Sequence, residues 1–380
     1  VATPLELFFD LAFVVAIAQA AAGLHHAIAE AHVLDGLIGY AMAFFAIWWA
    51  WMNFTWFGSA YDCDDAPYRL LVFVQIAGAL ILAAAIPAFF DGRDLTIGTF
   101  AYVVMRLALV AQWLRASAGD PAHRATARRY AIGVALVQIA WIGRLYLPPG
   151  LQMPGFGVLV LAELAVPMWS ERMGMTPWHP HHIAERYGLM TIIVLGESIL
   201  AATGSMQAAV ETGYGRGELI PVIAGGIVIV CSLWWYYFYR PAHGLLTSIR
   251  RAFVWGYGHY FVFGAAAAVG AGLSVAADQI SHEAEITRRA AGFAVAIPVA
   301  VFLVSLWLLH FRRALDPMPL SGPVLAALIL LCPLTGFAIP LIAVLLAALL
   351  AAKVILRHRR ADPPIEVGNG PTSSPRAVEP

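Results

Sequence analysis

The stretch "LELFFDLAFVV" at residues 5–15 sets two acids, Glu6 and Asp10, four residues apart in an otherwise apolar run. A buried or membrane-crossing helix ordinarily carries neither, because an ionised group is costly away from water unless it is paired or hydrated. The two acids share one helix face. A helix N-terminus favours negative charge, so capping at a boundary accounts for Glu6. Asp10 lies more than one turn deeper and calls for a partner or a ligand, and Gln19 farther along extends a polar track.

The rest of the chain says what surrounds that run. Of its 380 residues, 61% are hydrophobic and 12% charged, with a mean hydropathy of +0.76. This is more apolar than a soluble fold needs and specifies an all-α polytopic membrane protein whose first partner is the lipid bilayer. The formal net charge is zero, so no basic surface points to nucleic acid. Cys63, Cys231 and Cys332 have no metal or redox spacing, which argues against a disulfide framework or structural zinc, and no cofactor is implied. The small residues of "AIAQAAAG" resemble a signal-peptide cleavage region, but an acidic stretch precedes them, so this segment reads as the first span.

A bilayer core about 30 Å thick takes roughly 20 helical residues. Twelve segments fit: 5–24, 36–57, 69–90, 96–115, 130–147, 154–170, 185–205, 219–239, 252–275, 291–311, 319–334 and 336–356. Residues 321–356 could instead form one kinked helix, giving eleven, but Cys332, Pro333 and Gly336 supply a turn. The basic residues favour an even count with both termini cytoplasmic. On that arrangement Arg69, Arg115, Arg124, Arg128, Arg129, Arg172, Arg186, Arg240, Arg250, Arg251, Arg312, Arg313 and Lys353 lie inside, together with Arg357, Arg359, Arg360 and Arg376. Arg93, Arg144, Arg216, Arg288 and Arg289 lie outside, and Arg106 falls within a span. Residues 361–380, "ADPPIEVGNGPTSSPRAVEP", are expected to be a disordered cytoplasmic tail.

The spans suggest an internal repeat. "ELFFDLAFVVAIAQ" superposes on "ERYGLMTIIVLGES" with Glu6 over Glu185, and "IWWAWMNF" matches "LWWYYFYR" with Trp48 over Trp234. Arg69 and Arg250 open the third span of each half, and Gly155-Phe156 and Gly336-Phe337 the sixth. Similar offsets in chain order predict two six-helix parallel pseudo-repeats, residues 1–172 and 173–360. They differ chemically, since Asp10 falls opposite Leu189 and Glu163 opposite apolar residues near Val344.

The motifs at residues 6–19 and 185–200 resemble the bacterial low temperature requirement protein A family, with its E-L-F-F-D-L-x-F-V opening span and a later span carrying E-R and then G-E. The resemblance covers almost the whole chain. It implies a multi-pass protein of the bacterial cytoplasmic (inner) membrane, linked by name to growth in the cold. It supplies no reaction.

Intramembrane ionisable residues are the functional candidates. Glu197 is expected near mid-membrane, twelve residues beyond Glu185, with Gly196 allowing close approach and Ser198 able to hydrogen-bond. Arg106 and Glu163 have opposite charge at similar depth and are expected to pair, the arginine holding a carboxylate ionised until a proton or cation binds. Arg106 could also meet Glu197 or Asp10. His181, His182 and Glu185 form a candidate metal group, as do His26 and Glu30, although neither set has a known metal spacing. "YDCDDAP" at 61–67 reads as a solvated loop, the tryptophan-rich runs as interfacial belts, and His259 as a titrating or a packing residue.

The expected function is secondary transport or ion conduction, with Asp10 and Glu197 binding a proton, a cation or a small solute, Arg106–Glu163 as charge partner, and Glu6, Glu185 and Ser198 in support. An intramembrane enzyme acting on a lipid-like substrate is the alternative. The chain has no HExxH motif, Ser/His/Asp arrangement or paired acidic prenyl-transfer motif, which leans against an enzyme. A non-catalytic sensor or assembly factor predicts intact charge pairs and no continuous polar path. A homo-oligomer is compatible with all three readings.

Overall fold

Thr3 begins the first helix by a reciprocal cap: its side chain accepts from the Glu6 amide while the Glu6 side chain accepts from the Thr3 amide, with Pro4 in the first turn. The computed structural model describes residues 2–92, 94–212, 216–312 and 318–361, and every regular element among them is helical. The elements are α1 (Pro4–Ala29), α2 (Val33–Tyr61), α3 (Ala66–Ala85), the single turn α4 (Pro87–Phe90), α5 (Thr96–Gly119), α6 (Arg124–Arg144) and α7 (Pro149–Ser170). They continue with α8 (Pro180–Thr212), α9 (Arg216–Phe238), α10 (Ile249–Ile280), α11 (Arg288–Leu306), α12 (Ser321–Leu331) and α13 (Ala338–Ala361).

Each of the twelve expected segments contains a helix, but ten of the described helices are long and apolar enough to cross a membrane. The two that fall short have clear reasons. The first turns of α6 carry Arg124, Arg128 and Arg129, and α12 has only eleven residues before it tightens into the 3₁₀ turn Cys332–Thr335. Gly336 follows at φ 81°, a left-handed conformation that glycine adopts without strain, and it separates α12 from α13 where the sequence places a turn. The expected third span, 69–90, is broken at Ile86, because Pro87 cannot donate into a continuous helix and instead starts α4. The expected tail, 361–380, lies outside the described residues beyond Ala361, as do Arg93, Arg313 and Arg376.

Side chains such as Leu70, Ile139, Leu161, Leu200 and Ile220 are exposed on the rim, as a lipid-facing surface requires. Inside, α1 packs on α2 and α3, and the chain continues by neighbour from α3 through α5 and α6 to α7. From α8 the same order runs again: α8 packs on α9 and α10, then α10 on α11, α11 on α12 and α12 on α13. Helix α1 also packs against α8 and α10. The small residues of α10 permit this density. Ser198 of α8 donates to the Ala266 carbonyl at 2.8 Å, and a Cβ added at Gly272 would stand 2.2 Å from the Ala294 carbonyl oxygen.

The tryptophan run of α2 departs from the expected interfacial belt. Trp48, Trp49 and Trp51 are buried in mid-helix, whereas Trp234 and Trp235 of α9 are exposed. Helix α2 is surrounded by protein, so its aromatic rings fill the bundle. Their polar N–H groups then need buried acceptors.

Candidate functional site: two charge clusters on opposite faces of one helix

Residues 49 and 51 of an α-helix point in nearly opposite directions, whereas 49 and 53 share a face. Trp51 donates its indole N–H to Asp10 Oδ1 at 2.7 Å. Trp49 donates its own to Glu163 Oε2 at 2.9 Å. Helix α2 therefore stands between two buried carboxylate clusters.

The first cluster joins α1 to α8. Arg186 Nη1 lies 2.5 Å from Glu6 Oε1 and Nη2 lies 2.5 Å from Asp10 Oδ1, with all three side chains fully buried. His182, one turn earlier on α8, places Nε2 3.1 Å from Glu6 Oε2. Thus two carboxylates share one guanidinium, and Asp10 Oδ2 has no hydrogen-bond partner. Glu6 caps α1, as the sequence suggests, and its carboxylate also joins this cluster. His182 also lines an open cleft of about 510 Å³ with Gly58, Ser59, Asp62, His179 and His181. Asp62 sits at its rim, outside the helices, where partial burial and then the Glu6 charge push its carboxyl above the usual range.

The second cluster is centred on Glu163 of α7. Its carboxylate accepts from Trp49 and from Arg106 Nη2 at 3.0 Å on one oxygen. On the other it accepts from Tyr102 at 2.9 Å, Gln138 at 3.0 Å and Trp141 at 3.2 Å. Arg106 also donates to Asn53 Oδ1 at 3.3 Å. The arginine meets Glu163, as opposite charges at similar depth suggest, and reaches neither Asp10 nor Glu197. Five donors hold this carboxylate, against two for Asp10.

The remaining candidates lie elsewhere. Glu197 is half-buried on α8, eleven residues beyond Arg186, or about 16 Å along the helix, and belongs to neither cluster. In that turn Gly196, Ile199 and Leu200 face outward while Ser198 faces α10, which leaves Glu197 at the margin rather than in the interior. Ser198 is committed to helix packing. Glu185 is half-buried beside the cluster, while its neighbour Arg186 supplies the charge. His181 stacks on His243 with ring centroids 4.0 Å apart, and His182 turns to Glu6, so His181, His182 and Glu185 do not converge. Among the described residues, no three His, Cys, Asp or Glu side chains are gathered to hold a metal ion. His26 and Glu30 form an exposed pair at 3.1 Å, and Gln19 is exposed. Within the 61–67 segment, residues 62–65 form the surface loop between α2 and α3, with Arg69 on Asp64 and Arg115 on Asp65.

Three groups that the sequence reading left outside the candidate site residues are buried. Arg186 is the main omission, since α8 starts at Pro180 and carries it six residues into the helix. Lys353 is buried with its ammonium 5.1 Å from the Phe311 ring centre. His259 is buried, bonded to Tyr237 at 3.1 Å and to the Trp255 carbonyl at 2.7 Å, while Trp255 donates to His310 at 2.9 Å. His310 lies in a π-helical turn, Trp307–Phe311.

A family model described as bacterial low temperature requirement A protein (LtrA) matches residues 1–357. An uncharacterised protein of Rhizobium meliloti (strain 1021), RA0937, is 31% identical over 245 residues. That alignment covers 62% of this chain and 57% of the relative, so the chain spans little more than half of that protein. Because the family match takes in both acid-bearing helices and nearly every described element, the chain belongs to the bacterial low temperature requirement A family.

Proposed function

We propose that this chain is an inner-membrane secondary transporter or ion-conducting protein in which Glu6, Arg186 and Asp10 bind a proton or a monovalent cation. One observation carries the reading: two fully buried carboxylates share a single guanidinium. An uncompensated buried charge is strongly unfavourable, so the cluster favours a further positive charge, and His182 leads to it from an open cleft. Glu163, with five donors and its own arginine, is assigned a fixed role, positioning α2 between the two clusters. The repeated neighbour order of α1–α7 and α8–α13 supports two six-helix halves, and with them twelve passes and both termini in the cytoplasm.

Proteoliposomes loaded with a pH-sensitive dye and challenged with a panel of cation gradients test this. Wild type should dissipate or build a proton gradient with at least one cation, and Asp10→Asn should abolish that flux. Folded wild-type protein that moves no ion under any gradient would sink the proposal.

A further inference from the structure

Beside the second cluster, where Arg106 balances Glu163, stands a second arginine. Arg144 ends α6 and is 4% exposed, yet among the described residues it has no carboxylate partner. Its Nε donates to the Gln152 carbonyl at 3.1 Å, and its guanidinium carbon lies 5.8 Å from the Trp141 ring centre and 5.4 Å from that of Phe156. These contacts hold the side chain in place without neutralising it.

The arginine lines a small cavity of about 30 Å³ together with Phe45, Thr99, Tyr102, Trp141 and Phe156. The cavity lies where α5 begins and α6 ends, at the opposite end of the bundle from His182. Tyr102 and Trp141 form its inner wall while donating to Glu163, whose charge is already met by Arg106. The Thr99 hydroxyl has no partner among the described residues. One carboxylate and two guanidiniums thus meet around this wall, leaving one positive charge over.

We propose that this cavity is a binding site for a small monovalent anion, held by the Arg144 guanidinium and the Thr99 hydroxyl within a ring of aromatic side chains. Charge requires an anion, since a buried guanidinium gains most from a full negative charge at hydrogen-bond distance. Size favours a small ion: a water needs about 10–15 Å³, so about 30 Å³ suits an ion the size of chloride or formate better than a bulky organic anion. Tyr102 and Trp141 connect the site to Glu163, so occupancy would be felt at the second cluster. The inference stands independently of whether Asp10 carries a transported ion.

The test is thermal unfolding of the purified full chain in detergent, titrated at constant ionic strength with chloride, bromide or formate against gluconate. Wild type should show a saturable rise in Tm with the three small anions and none with gluconate. Arg144→Gln should lose the rise. Thr99→Val, an isosteric change that folding should tolerate, should weaken apparent binding about tenfold, as expected for one hydrogen bond to a charged group. Bromide should give an anomalous diffraction peak beside Arg144. An equal response to gluconate, an unchanged chloride response in Thr99→Val, or bromide bound only elsewhere would overturn the proposal. If Arg144→Gln does not fold, the threonine variant and the bromide position decide.

Discussion

Arg186 reaches Asp10 at 2.5 Å across a separation of 176 positions in the chain. It reaches Glu6 with its other terminal nitrogen, so α8 is fastened to α1 by one cation holding two anions. The three partners are unequal in consequence. Arg186→Met leaves two buried carboxylates with no guanidinium and should destabilise by about 3–5 kcal/mol. Asp10→Asn leaves a balanced Glu6–Arg186 pair and should cost far less. Thermal unfolding of both variants in detergent checks this asymmetry, and equal losses would contradict it.

Glu163 should behave as a hub. Glu163→Ala strands Arg106 and removes the acceptor of four other buried donors, with an expected loss of about 3–5 kcal/mol. Glu163→Gln and Arg106→Met each break the same ion pair. Combined, they should be less damaging than the sum of the two, by about 0.5–3 kcal/mol. A double-mutant cycle that closes at zero would mean the two side chains act independently.

Asp62 supplies a pH prediction. Its folded-state carboxyl titrates above the usual value, so the folded chain binds its proton more readily than the unfolded chain. Stability therefore falls as pH rises from the ordinary aspartate range through the raised value. Asp62→Asn should raise Tm at neutral pH, and the gain should vanish in acid. A gain that grows on acidification would reverse the assigned sign.

Gly272 is set by the close approach of α10 to α11. A Cβ there meets backbone at the Ala294 carbonyl, which cannot rotate away, so Gly272→Ala should cost about 1–3 kcal/mol. By contrast, an added Cβ at Gly204 meets nothing within 4 Å, and Gly204→Ala should be neutral or mildly stabilising through helix propensity. Expression and melting of the two variants give the comparison.

The sequence made the helical segments legible because length and apolarity are set by the bilayer. It also made the Arg106–Glu163 pair legible, since depth along a span follows from counting residues. Rotation about each helix axis was hidden. When lipid and protein interior are both apolar, no polar face marks the outside, so Glu197 looked internal and Trp48, Trp49 and Trp51 looked interfacial. Arg186 was missed because α8 starts earlier than hydropathy indicates, turning an apparent boundary residue into a buried one. The available signal was its position beside Tyr187 in an otherwise apolar run, with two acids on α1 lacking a cation.

Infrared difference spectroscopy of the pH titration tests the central claim most directly, because it reads protonation of buried carboxyls in the folded protein. The account predicts a carboxyl C=O band that appears on acidification of wild type and disappears in Asp10→Asn while persisting in Glu163→Gln. The same titration spectrum in wild type and Asp10→Asn would contradict the claim that the Glu6–Arg186–Asp10 cluster takes up the proton.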